Sequence, residues 1–436
     1  MRLRVFRGRE VGEGELEFPV DSDKSISHRT AIFSLLTGGI NRIKNYLDGE
    51  DTLHSLKIAE QLGAQIVKRR GERGLEVEIT PLSQIQEPTD ILYCGNSGTT
   101  IRIYSGLLAG TPGFFVLSGD KYLNRRPMGR VLDPLREIGG KVDGRSNGNY
   151  PPLAIRGGRL KGFRYSSPIP SAQVKSALIL AGLQGDSCSY YREPELSRDH
   201  TERMLKRMGA PISKEGEWIK IEPLEGRLEP LELEVPGDPS SGFFFAVWGA
   251  IAGKRVLIPN VTLNPTRIGA YKILEKMGVP VEYHLREEKY EPIGDILING
   301  TGKLKGVEVS ENIPALIDEL PALAIGMAFG EGESLVRNAK ELRVKESDRI
   351  KGIVKNLQRM GVEAEELADG FRIVGGTPKG GIQIDSYGDH RLAMSFAIAG
   401  AVVGDLEITE GESIYTSFPR FFELFKQIAL FEVVEE

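Results

Sequence analysis

The polar residues best suited to chemistry in this chain sit in short clusters directly ahead of long apolar runs. Lys24-Ser25-Ile26-Ser27-His28-Arg29 puts Ser25 and Arg29 at i and i+4, on one helical face. That pair suits a phosphate or carboxylate clamp, and equally an N-cap followed by solvated charge. Gly95-Asn96-Ser97-Gly98-Thr99-Thr100 is a glycine-rich turn before Ile101-Arg102, without the spacing or the lysine of a nucleotide P-loop. Arg126-Pro127-Met128 places proline where a first helical turn accepts it. Ser171-Ala172-Gln173-Val174-Lys175 mixes donors with small residues, as a plain helix cap also would. Ser197-Arg198-Asp199-His200-Thr201 reads most simply as a capped helix start. Asp318-Glu319-Leu320-Pro321 sets two carboxylates before an apolar helix, and Lys345-Glu346-Ser347-Asp348-Arg349 is an unbroken polar run. Asp389-His390-Arg391 is pressed against LAMSFAIAG, where an uncompensated charge would be costly.

Taken together these clusters hold many cations, two candidate acids and several hydroxyls. A helix N-terminus adds free N–H groups and about half a positive charge, so it favours anions. The five histidines show no metal-ligand spacing, and Cys94 has no basic neighbour and reads as a small buried residue. The set suits two small, multiply anionic substrates that react by proton transfer, with neither metal nor cofactor.

The apolar runs are the elements that must position these residues. The copies KSISHRTAIFSLLTGG, SGTTIRIYSGLLAG, SAQVKSALILAG, PSSGFFFAVWGAIAG, DELPALAIGMAFG and DHRLAMSFAIAG recur every 69 to 78 residues, with a mean of 73. Apolar on nearly every face, they predict fully buried helices. A second helix in each unit ends at a leucine- or methionine-glycine signal, with glycines at Gly63, Gly139, Gly209, Gly278 and Gly361. The sixth unit ends instead in FPRFFELFKQIALF. Runs such as FFVLSG, RVLIPN and LEITEG predict strands between the helices. The unit is therefore helix, strand, helix, strand, strand, and the class is α/β. Helices without a solvent face need partners all round, which argues for two lobes of three units each. The expected lobes are residues 21–235 and residues 1–20 plus 236–436, with Pro236-Gly237-Asp238-Pro239 as a hinge and the opening strand closing a sheet of the second lobe.

The length of 436 residues allows two or three domains, and 40% hydrophobic against 27% charged residues is an ordinary globular balance. A net charge of -5 argues against a broad nucleic-acid surface, so bound anions must be held by local clusters. Two cysteines exclude a disulfide scaffold. The apolar stretch Phe243 to Gly253 is too short to span a bilayer, and the start lacks a signal-peptide core. A cytoplasmic monomer with no membrane or nucleic-acid partner is expected.

The motifs DKSISHR, GNSGTTIR, RPM, SAQVKSAL, LSRDHT, PGDPSS, DELP, ELRVKESDR and DHRLAMSF resemble, in order and over essentially the whole chain, those of the 5-enolpyruvylshikimate-3-phosphate synthase family. The resemblance implies a two-lobed inside-out α/β barrel, three repeats per lobe, with the active site in the inter-lobe cleft. It implies transfer of the enolpyruvyl group of phosphoenolpyruvate to the 5-hydroxyl of shikimate 3-phosphate. By the same resemblance, Lys24, Ser25, Arg29, Ser171, Ala172, Gln173, Ser197, Asp318 and Lys345 hold shikimate 3-phosphate. Lys24, Asn96, Gly98, Arg126, Gln173, Arg349 and Arg391 surround phosphoenolpyruvate, while Asp318, Glu346, Lys24 and His390 are the acid–base groups.

Some positions depart from the family pattern. Ala172 stands where many members have serine, Glu341 where many have asparagine, His200 where many have tyrosine and Thr416 where many have lysine. Lys175 is expected to supply the charge missing at Thr416, and Gly98 to leave room for the inhibitor glyphosate. Two other readings compete. One is UDP-N-acetylglucosamine enolpyruvyl transferase, which carries a reactive loop cysteine and an asparagine after its early lysine. The other is a non-catalytic repeat protein that binds organic phosphates.

Overall fold

The structure, a computed structural model, describes residues 1–434; residues 435 and 436, the end of the expected second lobe, lie outside the described residues. The chain divides into two compact units. One comprises Ser22–Val235 with Lys289–Glu291, here the 22–235 unit; the other comprises Met1–Asp21, Pro236–Glu288 and Pro292 onward, here the 236–434 unit. Each has its own hydrophobic core.

The apolar runs are helices at Lys24–Phe33, Gly98–Gly110, Ala172–Leu183, Pro239–Ala252, Leu320–Phe329 and His390–Val403. Pro239–Ala252 is buried without interruption from Pro239 to Ala250, as a helix with no polar face must be. Five of these helices are capped by the side chain just before them. Asp23, Ser97, Ser171, Asp238 and Asp389 each accept a first-turn N–H. Leu320–Phe329 starts instead with Pro321 in its first turn, which needs no N–H partner.

The second helices are Glu50–Gln61, Gly129–Glu137, His200–Arg207, Gly269–Lys276 and Arg349–Arg359. All five end in the same way. Gly63, Gly139, Gly209, Gly278 and Gly361 have φ between +78° and +100°, a region that only glycine enters without strain. That turn lets the next N–H reach a carbonyl five residues back, as Ala64 does to Ala59 at 3.0 Å and Val362 to Leu357 at 3.0 Å. In the sixth copy the second helix shrinks to Phe421–Phe425.

Among the described residues each unit contains three four-stranded sheets. In every sheet a short edge strand runs parallel to its neighbour and the other pairings are antiparallel, so the sheets are mixed. In the 22–235 unit, Glu232–Glu234 returns to pair with Asn41–Tyr46. In the 236–434 unit the opening residues do two jobs. Arg2–Gly8 lies between Leu406–Ile408 and Ala429–Val434, and Glu15–Glu17 edges the sheet of Arg255–Thr262. Among the described residues no helix is long and apolar enough to cross a membrane, and no cluster of three or more metal-ligating side chains occurs.

Candidate active site

In the 22–235 unit the helix starts carry a dense set of cations. Lys24, the first residue of its helix, pairs with Asp51 in the first turn of Glu50–Gln61. One turn on, Arg29 is 2% exposed. Its guanidinium donates to Thr201 Oγ1 at 2.8 Å, Ser176 Oγ at 3.0 Å and the Ser25 carbonyl at 3.0 Å. The i, i+4 pairing of Ser25 and Arg29 is thus made through the serine backbone. Burial pulls Arg29 down to about 10, with Glu202 and Asp23 resisting, so it stays charged at neutral pH.

A second group forms where three segments meet. Gly98 opens its helix between two guanidinium groups, so that a methyl group added there would lie 2.9 Å from Arg126 Nη1 and 3.1 Å from Arg102 Nη1. Arg126 donates to the Asn96 carbonyl at 3.3 Å. Arg102 donates to Gln173 Oε1 at 2.5 Å and to the Pro127 carbonyl at 3.1 Å, and Gln173 donates in turn to Thr99 Oγ1 at 3.0 Å. Asn96, Gly98, Arg126 and Gln173 are thereby gathered around Arg102, which was not among the expected site residues. A charged residue in the middle of an apolar helix was the signal.

Other expected residues lie elsewhere. Ser171 caps the helix that Ala172 begins, its Oγ accepting the Val174 N–H at 3.4 Å. Ser197 donates its hydroxyl proton to the Glu193 carboxylate at 2.8–2.9 Å. Lys175 corrects an expectation. It is fully buried, 2.8 Å from Glu193 and 2.9 Å from Glu202. Burial alone would lower its pKa, but those carboxylates raise it. Its charge is neutralised within the core and is not available to replace the lysine missing at Thr416. His200, also buried, pairs with Glu291 at 2.6 Å.

In the 236–434 unit the acids converge on Arg349, which is 1% exposed at the start of its helix. It meets Asp389 through Nε at 2.8 Å, Glu346 through Nη2 at 2.6 Å and Asp318 through Nη1 at 3.3 Å. Burial works against the charge, but Asp389, Glu346 and Asp318 outweigh it and raise the Arg349 pKa above its ordinary value. Lys345 Nζ stands 3.3 Å from the same Asp318 oxygen. Asp389 also caps His390–Val403, so Arg349 is tied to the helix that begins with His390 and Arg391. Both are buried, at 6% and 8% exposed. The Arg391 guanidinium has no hydrogen-bond or carboxylate partner among the described residues and lies 5.8 Å from the Phe244 ring.

Chemically, then, one unit offers Lys24, Arg102 and Arg126, and the other offers Arg349, Arg391 and the Asp318–Glu346 acid pair. Cys94 is fully buried and its thiol is pushed well up by that burial, which leaves no nucleophile there.

Residues 9–425 match the family model described as EPSP synthase (3-phosphoshikimate 1-carboxyvinyltransferase). The chain is 56% identical over 432 residues to the 3-phosphoshikimate 1-carboxyvinyltransferase of Wolinella succinogenes, covering 98% of each. It is 57% identical over 416 residues to that of a Nitratiruptor species, covering 94% of each. A solved EPSP synthase from Acinetobacter baumannii is 38% identical, superposes with a TM-score of 0.86 and is covered over 100% of both chains.

Proposed function

Since the chain belongs to the EPSP synthase family, we propose that residues of both units serve the same two substrates. The enzyme transfers the enolpyruvyl group of phosphoenolpyruvate to the 5-hydroxyl of shikimate 3-phosphate and releases phosphate, within the shikimate pathway to aromatic amino acids. In this reading each unit is an inside-out α/β barrel of three repeats, and the enzyme acts as a cytoplasmic monomer.

Shikimate 3-phosphate is held by Lys24, Ser25, Arg29, Ser171, Ala172, Gln173 and Ser197, with Asp318 and Lys345. Phosphoenolpyruvate is held by Lys24, Asn96, Gly98, Arg126, Gln173, Arg349 and Arg391, and Arg102 orients Gln173 for both. The two substrates bring roughly six negative charges, which guanidinium groups meet best by paired hydrogen bonds. Asp318 takes the proton of the attacking hydroxyl as that oxygen adds to C2. Glu346 delivers a proton to C3, giving a tetrahedral intermediate. Glu346 then takes a proton back from C3, which expels phosphate, and Asp318 gives up the hydroxyl proton to the departing phosphate, with Lys24 and His390 assisting. Cations already in place where charge develops lower the barrier without reorganising.

The observation that carries the anion assignment is Arg391, a residue only 8% exposed whose guanidinium has no hydrogen-bond partner among the described residues and is open to a ligand. A bound carboxylate or phosphate supplies what the protein does not. Arg391→Ala and Arg126→Ala are each expected to raise KM for phosphoenolpyruvate by about 30-fold or more, since loss of a buried charge partner costs ~2–5 kcal/mol. Unchanged phosphoenolpyruvate affinity in either variant would remove that residue from the site.

A further inference from the structure

His28 is completely buried, on the helix Lys24–Phe33, and no step of the mechanism uses it. Its Nδ1 lies 2.8 Å from Ser55 Oγ, which lies 2.9 Å from Thr100 Oγ1. Thr100 donates its hydroxyl proton to Ser97 Oγ at 2.7 Å, and Ser97 Oγ also accepts the Thr100 N–H at 3.1 Å. With the Thr100 hydroxyl as donor to Ser97 Oγ, and with Thr100 Oγ1 also 3.4 Å from His28 Nδ1, a proton count sets the direction of the rest of this chain. The Thr100 hydroxyl has one proton and gives it to Ser97, so Ser55 must donate to Thr100. Ser55 has then used its own proton, so His28 Nδ1 must carry the hydrogen that reaches Ser55. The same count leaves Nε2 as a bare acceptor, and that atom is buried with no hydrogen-bond partner among the described residues.

The relay ends beside the proposed phosphoenolpyruvate ligands on every element it touches. Lys24 and His28 are i and i+4 on one helix, and Asp51, the partner of Lys24, and Ser55 are i and i+4 on the next. Ser97 caps the third helix between Asn96 and Gly98. We propose that His28, as its neutral Nδ1–H tautomer, is a positioning residue that locks these three helix starts in register for phosphoenolpyruvate. Burial keeps the imidazole uncharged, and the nearby Lys24, Arg29 and His54 reinforce this. A positively charged ring would need a partner at Nε2 as well, and would repel Lys24.

This inference rests on the assignment of Asn96, Gly98 and Lys24 to phosphoenolpyruvate, and two readouts separate the claims. In the full-length protein with 15N-labelled histidine, His28 should show a protonated Nδ1 and a bare Nε2. An Nε2–H tautomer would overturn the relay whatever the substrate assignment. In steady-state kinetics His28→Asn, whose amide can place a donor where Nδ1 was, should keep KM for phosphoenolpyruvate within about threefold. His28→Leu should raise it about tenfold with a smaller change in kcat, since a buried hydroxyl left without its donor loses register at modest cost. Equal effects of His28→Asn and His28→Leu, with both proteins folded by circular dichroism, would also overturn it. Gly98→Ala serves as the control for the ligand assignment: unchanged KM for phosphoenolpyruvate there discredits that assignment and not the tautomer.

Discussion

Asp318 meets Lys345 and Arg349 at the same carboxylate oxygen, 3.3 Å from each, so its position is set from two sides. Removing that carboxylate takes away the proposed base and leaves the cations in place. Asp318→Ala is therefore expected to lower kcat by about 10²–10⁴-fold, the usual worth of a positioned proton acceptor, with a much smaller rise in KM. Turnover within threefold of wild type would remove Asp318 from the mechanism. Gly98 makes the opposite kind of prediction, through space and not charge. A methyl group there would press on Arg126 and Arg102 at 2.9 and 3.1 Å, and long side chains can yield a little. Gly98→Ala should raise KM for phosphoenolpyruvate modestly and weaken inhibition by the longer glyphosate more, by discriminating on length. Inhibition assays at fixed phosphoenolpyruvate check this, and equal resistance of wild type and variant would mean that another residue discriminates.

At the scale of elements, the starts of the buried helices carry the proposed site residues and much of the internal bracing. Lys175 shows the bracing: a fully buried ammonium between Glu193 and Glu202. Lys175→Ala would strand two mostly buried carboxylates, their side chains 7% and 18% exposed, and breaking a buried pair typically costs ~3–5 kcal/mol. Chemical denaturation should show a loss of that order, and a loss under about 1 kcal/mol would mean that the carboxylates find water or protons instead. The helices themselves were legible in the sequence. Runs such as FFFAVWGAIA have no polar face to present to water, and a glycine after each second helix signals the left-handed turn that ends it. Partners were not legible. Asp51 with Lys24, Glu193 and Glu202 with Lys175, and Gln173 with Arg102 join positions 18 to 71 residues apart. Such pairs are chosen by how helices pack, which no local pattern encodes. Arg102 was within reach of sequence reasoning, because a charge amid GTTIRIYSGLLAG cannot be buried without a partner or a ligand.

At the scale of the whole molecule, a chain with net charge -5 concentrates cations at a few helix starts, where the proposed site would hold its anionic substrates. The repeat in the sequence has a structural counterpart in six four-stranded sheets, yet two features of them come only from the fold. Glu232–Glu234 reaches back to Asn41–Tyr46, and Arg2–Gly8 sits between strands from the end of the chain. Pairings between residues so far apart in sequence leave no local trace. The reaction at issue is enolpyruvyl transfer from phosphoenolpyruvate to shikimate 3-phosphate, proposed to use residues of both units. Its most direct measurement is phosphate release by the purified enzyme, with both substrates, with each alone, and with UDP-N-acetylglucosamine in place of shikimate 3-phosphate. Release is expected only when phosphoenolpyruvate and shikimate 3-phosphate are both present, and should be lost in Arg126→Ala and Arg391→Ala alike at limiting phosphoenolpyruvate. Release with UDP-N-acetylglucosamine, or binding of both proper substrates with no phosphate released, would contradict it.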